Sequence, residues 1–448
     1  MVARVLDDGT TQQFQTTVND LGQVTARIDP LGRRTALAYA SNGLDLLEVR
    51  QTTGTANDLI ASYASYTAGH LPQTVTDAAG QASTLTYTAS GQVATSTNAK
   101  SETTTYTYNT ASQLTTVTGP VTGATTAYTY DGYGRVATTT TDGMTLTTEY
   151  DVFDRPTVVW YPDETTEQTT YDRLDVATRT DRLGRTTRQV YDALRRLRST
   201  QDPAGRTIEQ VWCACGSLDG LVDAHRQRTS WERDALGRVT REVGADGTTD
   251  TLYTYDLVGR LTTVTDPKDQ VTTYTYALDE AVLSTVWTNA QIATPSVTYT
   301  YDTTYARVAT MVDGTGTTAY AYKPAGGVGA GQVASVDGPL SNDTITYDYD
   351  ELGRVVTRAI NGSANTVAWA FDALGGPLRR RMSWGRSPTR TTAPRRASPR
   401  SPIRTARRAR TATWRPARNA VCKRFTTSIR MRRHCRSSIT PTMRWGTS

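Results

Sequence analysis

The stretch Tyr253-Thr254-Tyr255-Asp256-Leu257-Val258-Gly259-Arg260-Leu261-Thr262-Thr263-Val264-Thr265-Asp266-Pro267 decides the fold. Two tyrosines separated by one threonine alternate with period two, so both rings fall on one face of a strand and the threonine on the other. Asp256 can bond the backbone two residues on, and Gly259 can take positive φ, so Asp-Leu-Val-Gly-Arg reads as a chain reversal. The threonine-rich run that follows is a second strand. Asp266-Pro267 then starts another turn, because proline presets φ for its second position. One unit is therefore two strands and two turns.

The unit recurs. Its second aromatic, or that residue's replacement, stands at Tyr87, Tyr108, Tyr130, Tyr150, Tyr171, Tyr191, Trp212, Arg233, Tyr255 and Tyr276, in steps of 20 to 22 residues. The register runs back through Tyr66, Tyr39 and Val18 and forward through Tyr301, Tyr322, Tyr349 and Phe371, with some steps of 25 or 27 residues, giving seventeen anchors. The residues that define the units include Tyr130, Asp131, Gly134 and Arg135; Tyr150 and Asp151; Tyr171 and Asp172; Tyr191 and Asp192; Asp234, Gly237 and Arg238; Tyr255, Asp256, Gly259 and Arg260; Tyr301 and Asp302; and Tyr349, Asp350, Gly353 and Arg354. Tyrosine outnumbers phenylalanine 24 to 4, which suits half-buried strands with a wet edge. A lone hairpin is marginal in water, so successive hairpins must pair edge to edge, and strand twist makes so long a ribbon curl. The expectation is an all-β array of tandem hairpins of about 21 residues, winding into a curved or hollow, partial shell.

Charge divides the chain at residue 374. Residues 375–448 hold 21 basic residues and no acid, whereas residues 1–374 hold 28 basic and 43 acidic ones. An acidic body opposes nucleic-acid binding along the array, since phosphate contacts need an excess of Lys and Arg. The expected domains are thus a repeat array over 1–374 and an Arg-rich, disordered tail over 375–448. Phe371-Asp372-Ala373-Leu374-Gly375 begins a unit, but Gly376 stands where Arg belongs. The tail has one lysine among 20 arginines, unlike the mixed composition of nucleic-acid-binding tails. With one choice of codons, Ser438 to Gly446 read two bases out of frame gives Asp-Tyr-Thr-Tyr-Asp-Ala-Met-Gly, a strand and turn of the repeat. The tail is therefore expected to be a frame-shifted reading of further repeats. A basic partner-binding segment is the competing reading.

Tyr-Asp-x-x-Gly-Arg followed by a threonine-rich strand resembles the Rhs/YD repeats of bacterial polymorphic toxins, insecticidal toxin complexes and teneurins. The resemblance covers roughly residues 15–374. It implies a coiled hollow shell that, in bacterial members, encloses a C-terminal toxin domain until delivery. The implied parent is secreted or at the cell surface. The N-terminal plug, the protease-like core and the toxin domain of such proteins are not recognisable here, so the chain reads as a middle piece of a longer protein. It is expected to be aggregation-prone alone, because open strand edges invite association. The expected partner is a toxin domain held by the shell. Alternative readings are a carbohydrate-binding or adhesion module, and a repeat carrier whose tail binds nucleic acid.

Nothing in the sequence assembles a reaction site, so no catalytic residue, cofactor or metal is expected and the chain reads as a non-enzyme. The tyrosines could stack on sugars, but a ring at a fixed strand position packs against the neighbouring hairpin. The aspartates suit turn capping better than calcium, which needs several oxygen ligands within a dozen residues. Only His70, His225 and His434 are available, and no phosphate-binding or dinucleotide motif is present. Trp212-Cys213-Ala214-Cys215-Gly216 occupies the place of a Tyr-Asp unit and reads as a turn variant ahead of a metal pair. With Cys422 and Cys435 it makes no disulfide framework. No apolar run reaches the roughly 18 residues of a membrane span, and the N-terminus lacks the apolar core of a signal peptide.

Overall fold

The computed structural model describes residues 2–383. They form 35 strands, and each pairs antiparallel with the strand before and the strand after it in sequence. One short 3-10 turn, Ser363–Asn365, is the only helical element among the described residues. The all-β expectation holds. No helix among these residues is long and apolar enough to cross a membrane.

Two kinds of pairing alternate. Across the Tyr-Asp turn the ladder is long: Thr126, Ala127, Tyr128, Thr129 and Tyr130 all face partners on the strand Val136–Thr141. Across most of the other turns it is shorter, as where Thr74, Val75 and Thr76 face Thr84, Ser83 and Ala82 and nothing further pairs. Every long ladder but one shifts register at its anchor. Thr107 lies opposite Thr116 while Tyr108 lies opposite Leu114, so Thr115 is an extra residue. The same break precedes Tyr130, Tyr150, Tyr171, Tyr191, Trp212, Arg233, Tyr255 and Tyr276. It also precedes Val18, Tyr39, Tyr87, Tyr301, Tyr322, Tyr349 and Phe371. At Tyr66 a positive φ at Ser65 replaces it. A bulge bends its strand and increases local twist, so one bulge per unit gives the ribbon a bend that accumulates along the chain.

The ribbon has almost no apolar core. Leu6 and Ala26 are the only buried hydrophobic residues among those described. Along the strands, rings and threonines alternate between half-buried and exposed: in Asp250–Tyr255, Tyr253 and Tyr255 are half-buried and Thr254 is exposed. On the exposed face, hydroxyls pair across the ladder, as between Thr86 and Thr95 at 2.6 Å and between Thr129 and Thr138 at 2.6 Å.

The boundary expected at residue 374 falls inside a hairpin. Strand Thr366–Phe371 pairs with strand Pro377–Ser383 through a regular turn, in which Gly376 N–H bonds Asp372 as the arginine N–H does elsewhere. Losing the arginine side chain leaves this backbone bond intact, so the array continues to Ser383. The rest of the expected tail, residues 384–448, lies outside the described residues.

Candidate functional site

The working element of this array is the node where one unit joins the next. In Tyr130-Asp131-Gly132-Tyr133-Gly134-Arg135, Gly134 N–H donates to Asp131 O at 3.0 Å and closes the turn with φ of +83° at Gly134. Asp131 Oδ1 accepts from Tyr133 N–H at 2.9 Å and Arg135 N–H at 3.0 Å, while Oδ2 accepts from Arg135 Nε at 2.7 Å. One carboxylate thus satisfies two turn amides and a guanidinium, and these bonds from Arg135 and Tyr133 hold it below the usual aspartate range against partial desolvation.

Each node also reaches both ways along the ribbon. Tyr130 OH donates backward to Leu114 O at 2.6 Å, the first carbonyl of the neighbouring strand, beyond the end of the short ladder. That carbonyl would otherwise lack a ladder donor. Arg135 reaches forward: its guanidinium lies 4.7 Å from the Tyr150 ring centroid and donates to Asp151 O at 3.1 Å. The residues of the other units repeat this plan. Tyr150, Tyr171, Tyr255, Tyr301 and Tyr349 donate to Val136, Pro156, Val239, Val282 and Val333. Arg238 covers Tyr255 and Arg260 covers Tyr276, while Arg354 covers Phe371. Asp151, Asp192, Asp234, Asp256, Asp302 and Asp350 each hold an arginine of their own turn.

Four residues depart from the plan. Tyr191 OH turns to Gln189 at 3.4 Å. Asp172 does not open a four-residue turn: it pairs with Asp175 at the end of its strand, around a tight reversal with positive φ at Arg173. Where the anchor is Trp212 or Arg233, indole Nε1 and guanidinium Nη2 donate to Leu197 O and Leu218 O in the hydroxyl's place.

Sequence reading missed a second level of contact. Six Tyr-Asp-side turns late in the chain seat, in order, on six opposite-side turns near its start. Leu257 N–H donates to Asp7 at 2.8 Å; Arg33 pairs with Asp279; Tyr305 OH donates to Asp58 at 2.6 Å. Gly326 N–H donates to Ala78 O at 2.8 Å, Lys100 lies 3.2 Å from Glu351, and a Cβ on Gly119 would stand 3.2 Å from Leu374 Cδ2. The side-chain links join residues 246 to 276 apart, so the ribbon completes a winding in about twelve units and docks on itself. Buried polar residues mark this seam: Gln12, fully buried, donates to Leu278 O at 2.6 Å, and Gln51 donates to Thr304 O at 2.5 Å. Burial and the bond to Asp58 push the Tyr305 phenol up to about 12. The seam has no local sequence signature, because each half is an ordinary turn.

Among the described residues no cluster of three or more His, Cys, Asp or Glu could hold a metal ion. Cys213 and Cys215 are joined by a disulfide within their turn. Their turn keeps the form of the Tyr-Asp unit it replaces, with Gly216 N–H bonded to Cys213 O at 3.1 Å.

Residues 73–171 match the teneurin YD-shell family and residues 255–280 match the RHS repeat. Those two stretches carry YD/Rhs repeats. The fold of the chain is shared with the crystal structures of TcdB2-TccC3-TEV (TM-score 0.61) and TcdB2-TccC3-Cdc42 (TM-score 0.58), each at 14% identity over 83% of this chain. The chain spans 23% of either of those chains. No curated protein sequence matches it. The repeats build a structural scaffold, and the nodes and seam are the parts that make the scaffold hold together.

Proposed function

We propose that this array is one winding, and the start of another, of a shell wall that encloses or presents an effector domain belonging to a longer polypeptide, in competition between bacteria. The observation that carries this reading is the seam. A flat repeat ribbon needs no contact between residues some 250 apart, whereas a wall that bounds a space must close on itself, and six turn-on-turn contacts do so here in unbroken order. Such a wall acts through geometry and not through reaction chemistry: it keeps a cargo from partners and proteases. The fold shared with the TcdB2-TccC3 structures supports the reading, and secretion or surface display of the parent follows from it. The test uses the native product, captured from its source with antibody to the array and digested under native conditions. Segments outside the repeats should survive alongside the array and disappear once denaturant opens it. Equal cleavage of those segments in both conditions would overturn enclosure.

A glycan-binding reading rests on one place. A pocket of about 430 Å³ is lined by Thr139, Thr141, Met144, Tyr161, Asp163 and Arg182. The Arg182 guanidinium lies 4.0 Å from the Tyr161 ring centroid and 2.5 Å from Asp163, an aromatic plate beside a fixed charge pair. Specific signals on a glycan array that vanish in Tyr161→Ala would support it; a blank array removes it.

A further inference from the structure

We propose that Cys213 and Cys215 form an exchangeable dithiol–disulfide couple, a redox site built into one turn of the scaffold. The turn differs from its siblings at the two positions that normally lock a node. Cys213 stands where aspartate accepts the amide four residues on, and its Sγ receives Ser217 N–H at 3.3 Å. Ser217 stands where arginine belongs, so the ion pair of the other turns is replaced by the sulfur bridge.

The bridge is placed to exchange. Cys215 is exposed and Cys213 half-buried, so a solvent thiolate meets Cys215 Sγ first. The departing Cys213 sulfur already faces an N–H donor. The Arg196 guanidinium donates to the backbone carbonyl of the same residue, Cys213 O, at 3.1 Å and covers Trp212, so the turn also carries a cation. Donors and cations near a sulfur favour its thiolate and make it the better leaving group. A bridge spanning two residues removes little entropy from the unfolded chain, so it gains little from loop closure and yields to a reductant more readily than one closing a long loop. Backbone bonds hold the turn without it, Cys213 N–H to Ser217 O at 3.0 Å among them. The sheet therefore survives its opening.

The step with an external dithiol balances. One reductant thiolate bonds Cys215 Sγ, the Cys213–Cys215 bond breaks, and its electron pair leaves on Cys213 Sγ. The second reductant thiol displaces Cys215 and forms a cyclic disulfide. The reductant's two protons finish on Cys213 and Cys215, which are reduced as the reductant is oxidised.

The test uses the full chain carrying Cys422→Ser and Cys435→Ser, so that only the two cysteines of the turn remain. Iodoacetamide on the oxidised, folded protein should add no mass. After dithiothreitol under native conditions it should add two carbamidomethyl groups, with the β-sheet circular dichroism unchanged, and oxidised glutathione should abolish the labelling again. In Cys215→Ser, Cys213 should label without reductant. Two labels on protein equilibrated with oxidised glutathione, or a bridge reduced only in denaturant, would overturn the proposal.

Discussion

Arg33 and Asp279 form an ion pair across 246 residues of sequence, with 4% and 8% of their side chains exposed. Asp29 holds the same guanidinium through Nε at 2.5 Å, so one arginine ties its own turn to a turn in the next winding. Charge removed from water this completely is costly without its partners, and Arg33 Nη1 is buried with no hydrogen-bond partner among the described residues, so the two carboxylates carry the whole compensation and the pair is a point of failure for the seam.

Arg33→Met leaves two carboxylates facing each other at the seam without their cation. The expected cost is about 3–5 kcal/mol, the range for breaking one side of a buried pair. Hydrogen exchange should accelerate in strands Val24–Ile28 and Val271–Tyr276 before it does around Thr186–Tyr191, which the seam does not touch. Uniform acceleration would show that the windings do not depend on this contact.

Tyr276→Phe removes the hydroxyl that bonds Leu261 O at 2.7 Å but leaves the ring under Arg260. The loss should be about 0.5–1.5 kcal/mol in a urea melt, the net worth of one hydrogen bond. Tyr276→Ala also removes the ring and should cost more. Equal losses would mean that the hydroxyl carries the whole contribution.

Gly134 sits at φ +83°, where a β-branched residue is strained. Gly134→Val should destabilise by at least about 1–2 kcal/mol. Gly134→Asn should cost much less, since sibling turns carry Asp154 and Arg195 at the same place with φ of 62° and 63°. The two variants compared by thermal unfolding check this, and a harmless valine would refute the turn's role.

Acid should weaken the array. Arg135, Arg155 and Arg185 hydrogen bonds hold Asp131, Asp151 and Asp181 below the ordinary value of 3.8, and the Arg196 backbone amide does so for Asp192. A lowered folded-state value means stability that is full above the unfolded value and lost as pH falls through the folded one. Urea midpoints should thus be level from neutral pH down to about 5 and fall below about 4. A midpoint that rises in acid would contradict the carboxylate nodes.

The node was largely legible in the sequence because its parts are local. Tyr255, Asp256, Gly259 and Arg260 lie within six residues, and period-two alternation places both rings on one face. What the tyrosine hydroxyl meets was not legible: Val239 O is brought within 2.8 Å by strand pairing, not by any motif. The bulges were equally silent, since Thr115 differs in no way from its neighbours. Gln12 and Gln51 look like surface residues until the second winding covers them. The edge drawn at residue 374 rested on charge and on Gly376 in place of arginine, whereas the pairing of Pro377–Ser383 with Thr366–Phe371 needs only the backbone.

The central claim is that the ribbon winds and docks on itself, and zero-length carbodiimide coupling tests it most directly. Lys100 Nζ lies 3.2 Å from Glu351, 251 residues away, while Lys323 Nζ lies 3.0 Å from Asp348 on a neighbouring hairpin. Mass spectrometry of the coupled and digested protein should recover both links. Recovery of Lys323–Asp348 without Lys100–Glu351 would show a paired ribbon that does not close, and the shell reading would fall with it.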